Sequence, residues 1–159
     1  MSRDPRLWLY VAGGWLLLGG LAHLTWHVWG VVMERDTAAG LRAFAMNAMK
    51  QAQSPDPLRP TLWRVYRLYS ASLALLWTFA GLTDVVMAAV DAPRRILASL
   101  SLLQTVFWTA AFVPFAFMDP VIQPLAVVAV AVPLHGIAYV LLSGSAGNGK
   151  DDGVHAVAS

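Results

Sequence analysis

LYSASLALLWTFAGLTDVVMAAV, residues 68–90, carries a single charged side chain, Asp84. At about 1.5 Å per residue a helix of this length is roughly 34 Å long. That exceeds the roughly 30 Å hydrocarbon core of a bilayer. In lipid the backbone must satisfy its own hydrogen bonds, so a run this apolar reads as a spanning helix. Three further runs share its character: Leu7 to Met33, Ile96 to Met118 and Val121 to Leu142. Tyrosines aside, their ionisable residues are His23, His27 and His135. The expected fold is therefore all-α: a polytopic membrane protein built as a four-transmembrane-helix bundle. Residues 1–143 are read as one membrane domain. Residues 144–159, rich in Gly, Ser and Asp, are read as a disordered tail.

Composition agrees. Of 159 residues, 58% are hydrophobic and 13% charged, against about 25% charged in soluble domains. The net charge is +2. An excess this small, set beside membrane helices, points to lipid phosphates rather than nucleic acid. With no cysteine in the chain, disulfides, thiolate metal sites and c-type haem attachment are excluded. Arg3 and Arg6 precede the first run as in a signal peptide, and Gly19-Gly20-Leu21-Ala22 is the one stretch resembling a cleavage site. The run outlasts the usual 7–15-residue signal core, so it is read as a span. Arginine and alanine usage suggests a bacterial chain, and hence the cytoplasmic (inner) membrane.

Between the first two spans lies a long loop. Leu41, Phe44, Ala45, Ala48 and Met49 form one face there, with Arg42, Asn47, Lys50 and Gln51 roughly opposite. This spacing predicts an amphipathic helix, capped by Asp36 or Thr37, on the membrane surface or over the bundle mouth. Trp63, Arg64, Tyr66, Arg67 and Tyr69 then form an interfacial belt that opens the second spanning helix. The N-terminus, second loop and tail share one side, A; the first and third loops share side B. Lys and Arg divide five to six between A and B, so charge does not orient the protein.

Helix rise also gives depth. Counted from the span starts, His23 and His27 lie roughly 22 and 28 Å from side A, in the B-side layer with Tyr66, Ser70 and Gln123. Asp84 and His135 lie about 24 and 21 Å from side B, in the A-side layer with Ser101 and Gln104. An ionisable group in a span costs about 2.5–3.5 kcal/mol on insertion scales, so Asp84 needs a partner. His135 is the best candidate by depth. Their catalytic reading is a proton-accepting site; their structural reading is an Asp–His pair, or Asp84 snorkelling to side A. His23 and His27, four apart, face one way, and Glu34 follows two turns on; these three are the metal candidates. Packing or interfacial anchoring is the simpler role for the histidines. The roughly 13 Å separation of His23 and His135 along the normal argues against one haem held by both. Polar and aromatic residues on inward stripes, His23, His27, Tyr66, Ser70, Trp77, Gln104 and Trp108, are the ligand-binding candidates. Gly13 and Gly20, seven apart on the same stripe as the histidines, predict close helix packing.

The glycine-rich first helix, Gly13-Gly14-Trp15-Leu16-Leu17-Leu18-Gly19-Gly20, followed by a long amphipathic loop and three more spans, resembles the layout of the DoxX-like group of small bacterial membrane proteins. The resemblance covers topology. His23, Thr25-Trp26-His27 and His135 are not part of that group's pattern, so no site residue is carried over. It implies a fold and a link to redox or quinone-related systems. The chain shows no P-loop, dinucleotide fingerprint or nucleophile elbow. Two functions follow. One is an accessory subunit or a binder of a lipid-like or quinone-like molecule, alone, as an oligomer or in a larger membrane complex. The other is a membrane oxidoreductase or isomerase using intramembrane His and Asp, with metal or haem. No cofactor is specified by the sequence.

Overall fold

A computed structural model of the chain describes residues 4–32, 40–55, 58–117 and 122–144. The helices are α1 (Pro5–Trp26), continued by a π-helical turn (His27–Val32), α2 (Leu41–Gln51), α3 (Leu62–Ala89), α4 (Arg94–Phe117) and α5 (Ile122–Gly144). Four segments are long and apolar enough to cross a membrane: Pro5–Trp29, Leu62–Ala89, Arg94–Pro114 and Pro124–Gly144. The protein is an all-α polytopic membrane protein, with no strand among the described residues. Glu34, the expected caps Asp36 and Thr37, and residues 145–159 of the expected tail lie outside the described residues.

The spans differ from the sequence reading mainly at their ends. The apolar run starts at Leu68, but α3 starts at Leu62, with the interfacial belt Trp63 to Tyr69 opening the helix as expected. Snorkelling arginines and amphipathic rings let a helix continue through the headgroup layer. α1 does not stay regular to Met33. From His27 it widens into the π-helical turn.

The chain forms two compact units. The first comprises residues 1–16 and 80–159, and so contains the start of α1, the end of α3, and α4 packed along α5. Leu9, Ala88, Ala92, Leu97, Ala138 and Leu142 form its core cluster, with Trp8, Met87 and Ala98 against it. Gly13 lets α1 approach α3 closely. A Cβ there would stand 2.7 Å from the Gly81 carbonyl oxygen and 2.8 Å from Asp84 Cβ. The Trp15 indole N–H donates to the Val127 carbonyl at 3.0 Å, tying α1 to α5.

The α3–α4 connection is short because α3 ends in a Schellman turn. The Ala92 amide donates back to the Met87 carbonyl at 3.2 Å, and Asp91 takes a left-handed φ of 59°, a position that usually calls for glycine. Aspartate is among the few residues that visit this region readily. Its carboxylate pairs with Arg6, and Pro93 prevents the helix from continuing. Arg94 then opens α4 and reaches the end of α5. Its Nε and Nη2 donate at 2.7 Å to the carbonyls of Leu142 and Leu141. These carbonyls belong to the last turn of a helix, where cations are favoured. Arg94→Ala is expected to cost about 1–2 kcal/mol, read as a lower thermal midpoint in detergent. Lysine, with no planar fork, is expected to recover only part of it. An unchanged midpoint in Arg94→Ala would remove the clamp from the account.

α5 contains Pro133. Proline has no amide hydrogen, so the carbonyl of Ala129 lacks its ordinary i+4 donor there.

The second unit, residues 17–79, holds the rest of α1, the π turn, α2 and the start of α3. Gly20 meets Thr78 and Ala74 of α3: a Cβ there would come within 2.7 Å of the Thr78 amide nitrogen and 2.9 Å of the Ala74 carbonyl. α2 is joined to α3 by an antiparallel bridge, Gln53 to Thr61. Its flanking bonds run from the Ser54 amide to the Pro60 carbonyl at 2.8 Å and from the Leu62 amide to the Ala52 carbonyl at 2.9 Å. α2 itself begins after Gly40, at φ 68°, with no side-chain cap.

Candidate functional site

The first unit brings Asp84 of α3 and His135 of α5 together, as their depths require. Both side chains are 0% exposed, and Asp84 Oδ2 lies 2.8 Å from His135 Nε2. Asp84 does not snorkel. Each lands inward because it continues a buried stripe: Trp77, Ala80, Asp84 and Ala88 on α3, and Val128, Ala131, His135 and Ala138 on α5. Steps of three and four hold one helix face.

The hydrogen bonds restrict where the protons are. His135 Nδ1 lies 2.7 Å from the Ala131 carbonyl oxygen, which can only accept, so Nδ1–H donates. One proton is then left to join Nε2 and Oδ2. The pair is either imidazolium and carboxylate or imidazole and carboxylic acid. Both forms have zero net charge, the form least costly to bury.

α4 supplies the remaining wall. Ser101 and Gln104 are buried beside the pair's layer. The Ser101 hydroxyl donates to the Leu97 carbonyl at 2.8 Å. The Gln104 side chain interacts with the Asp84 carboxylate without forming a full hydrogen bond to Oδ1. That oxygen has no hydrogen-bond partner among the described residues. Trp108, one turn beyond Gln104, is buried, and its indole N–H is likewise unpartnered among the described residues. An apolar cleft of about 190 Å³, lined by Thr109, Phe112, Ala129, Val132 and Pro133, opens on α4 and α5 within two turns of Gln104 and His135.

The second unit gathers the other histidines. His23 Nε2 and His27 Nδ1 lie 3.0 and 3.1 Å from the same Ser70 Oγ. One hydroxyl proton cannot serve both. Ser70 can donate to at most one ring, so at least one of the two facing nitrogens carries a proton and donates to Ser70 Oγ. Trp77 meets His23 edge-on, with ring centroids 5.7 Å apart. Its indole N–H is unpartnered among the described residues. Tyr66 is 45% exposed and stacks on Trp63 at 5.4 Å. Among the described residues no three His, Asp or Glu side chains gather for a metal. Glu34 lies outside them, and so does the side chain of Gln123.

Sequence reasoning did not anticipate Ser70 as a hydroxyl shared by two histidines, or the Ala131 carbonyl and Trp15 as fixing groups. Only the i−4 spacing of Ala131 and His135 could have signalled the second. The chain matches no family model, no curated protein and no solved structure.

Proposed function

We propose that the protein is a non-enzymatic binder of a lipid-like molecule in a bacterial cytoplasmic membrane, alone or as an accessory subunit, with the ligand's polar end held at Asp84 and His135. The observation that carries this reading is Asp84 Oδ1, a buried carboxylate oxygen with no hydrogen-bond partner among the described residues. Leaving such an acceptor unmet costs about 1–3 kcal/mol or more, which a ligand hydroxyl would offset. The Trp108 indole offers a donor for a ligand carbonyl. A quinone or hydroquinone head carries these oxygen types, and a DoxX-like relationship would agree with it. The cleft near Thr109 and Pro133 suits an apolar chain.

Protein purified in mild detergent is expected to retain a lipid-like molecule in native mass spectra and to bind a short-chain benzoquinone. Asp84→Ala is expected to release the first and abolish binding of the second. Ligand-free protein that does not bind the quinone would overturn the reading.

The second reading, a membrane oxidoreductase or isomerase, rests on the Asp84–His135 bond as an acid–base couple. Its metal version uses His23, His27 and Glu34. A visible spectrum and metal analysis of the same preparation test it, since His23→Ala or His27→Ala should abolish any stoichiometric metal.

A further inference from the structure

The corner where α2 meets α3 combines features that a headgroup layer would satisfy. α3 begins with Trp63, Arg64, Tyr66, Arg67 and Tyr69, residue types that collect at the membrane–water boundary. Tyr69 is 71% exposed, and Arg64 is exposed. The Gln53–Thr61 bridge and its flanking bonds pin the end of α2 to the start of α3. α2, about 16 Å long by helix rise, is therefore tethered at the depth of that belt.

α2 has two apolar sides. Ala43, Met46 and Met49 are half-buried in the unit. Phe44, Ala45 and Ala48 face outward, and Phe44 is 73% exposed. Asn47, Lys50 and Gln51 occupy a separate, polar arc. The Lys50 ammonium sits 5.6 Å from the Trp63 ring centroid, which orients it over the belt. Arg59 and Arg64, both exposed, follow it on the turn and at the start of α3. Three exposed cations at this corner, with an outward apolar strip on another side of α2, have the chemistry of an anionic lipid surface: phosphates for the charges, acyl chains for the strip.

We infer that the α2–α3 corner docks on anionic phospholipid, with Lys50, Arg59 and Arg64 on lipid phosphates and Phe44, Ala45 and Ala48 among the upper acyl chains. The surface shares no residue with the Asp84–His135 site, so it stands or falls independently of the proposed ligand.

The chain has no cysteine, so Ala45→Cys and Asn47→Cys each accept one fluorophore. In vesicles of phosphatidylcholine and phosphatidylglycerol, the label at 45 is expected to be quenched by lipid-borne nitroxide. The label at 47 is expected to be quenched by aqueous iodide. Iodide quenching of both would place α2 in water and overturn the proposal. Phosphatidylglycerol retained in native mass spectra should fall about five-fold per charge removed in Lys50→Gln, Arg59→Gln and Arg64→Gln. It should persist in Lys50→Arg and Arg64→Lys, and weaken for the parent protein at high salt. Retention unaffected by either charge removal or salt would show that anionic lipid is not recognised.

Discussion

His135→Ala and Asp84→Ala are each expected to destabilise the detergent-solubilised protein by about 3–5 kcal/mol, because each leaves a buried polar partner uncompensated. The double replacement should cost less than the sum, with a coupling of about 0.5–3 kcal/mol. The proton positions add an ordering. In Asp84→Asn the amide N–H can still donate to His135 Nε2 while Nδ1–H keeps the Ala131 carbonyl. Asp84→Asn should therefore be milder than Asp84→Ala. Denaturant titration of the four proteins measures all of this. Strict additivity, or an asparagine variant no better than alanine, would show that the 2.8 Å contact does not couple the two residues.

The glycines of α1 give the second large effect. At Gly13 a Cβ would sit 2.7 Å from a backbone oxygen of α3, and backbone cannot swing aside as a flexible side chain can. Gly13→Leu is expected to cost at least the 1–3 kcal/mol typical of overpacking, and Gly13→Ala to be destabilising as well. Gly14, the next residue, has nothing within 4 Å of its Cβ position. Gly14→Ala should be neutral or mildly stabilising, since alanine gains up to about 1 kcal/mol over glycine in a helix. Opposite signs at adjacent positions, read as thermal midpoints in one detergent, separate close approach from helix propensity. Equal small effects would mean that α1 and α3 stand further apart.

What the sequence conveyed follows from what a bilayer constrains. Long apolar runs reveal spans because a buried backbone has few options, and helix rise converts residue number to depth. That arithmetic was enough to pair Asp84 with His135 and to put Ser70 in the layer of His23 and His27. Depth carries no information about rotation around the helix axis. Tyr66 shares the layer of Ser70, yet it stays 45% exposed and stacks on Trp63. The helical start of α3 was legible in the belt Trp63 to Tyr69, whose arginines and amphipathic rings reach the boundary layer from a helix. On α2 the expected apolar face divides: Met49 packs inward while Phe44, Ala45 and Ala48 remain outside. The π turn at His27 left no compositional trace.

His135 has a mechanical part to play as well as an electrostatic one. Pro133 deletes the rung between residues 129 and 133 of α5, and the ring pushes at the preceding turn. The bond from His135 Nδ1 to the Ala131 carbonyl starts beyond the proline and ends before it, so the imidazole splints the weakened joint. The same ring thus braces its own helix with one nitrogen and holds α3 with the other. Any event that draws Nε2 away from Asp84 must either bend the splint or carry the second half of α5 with it.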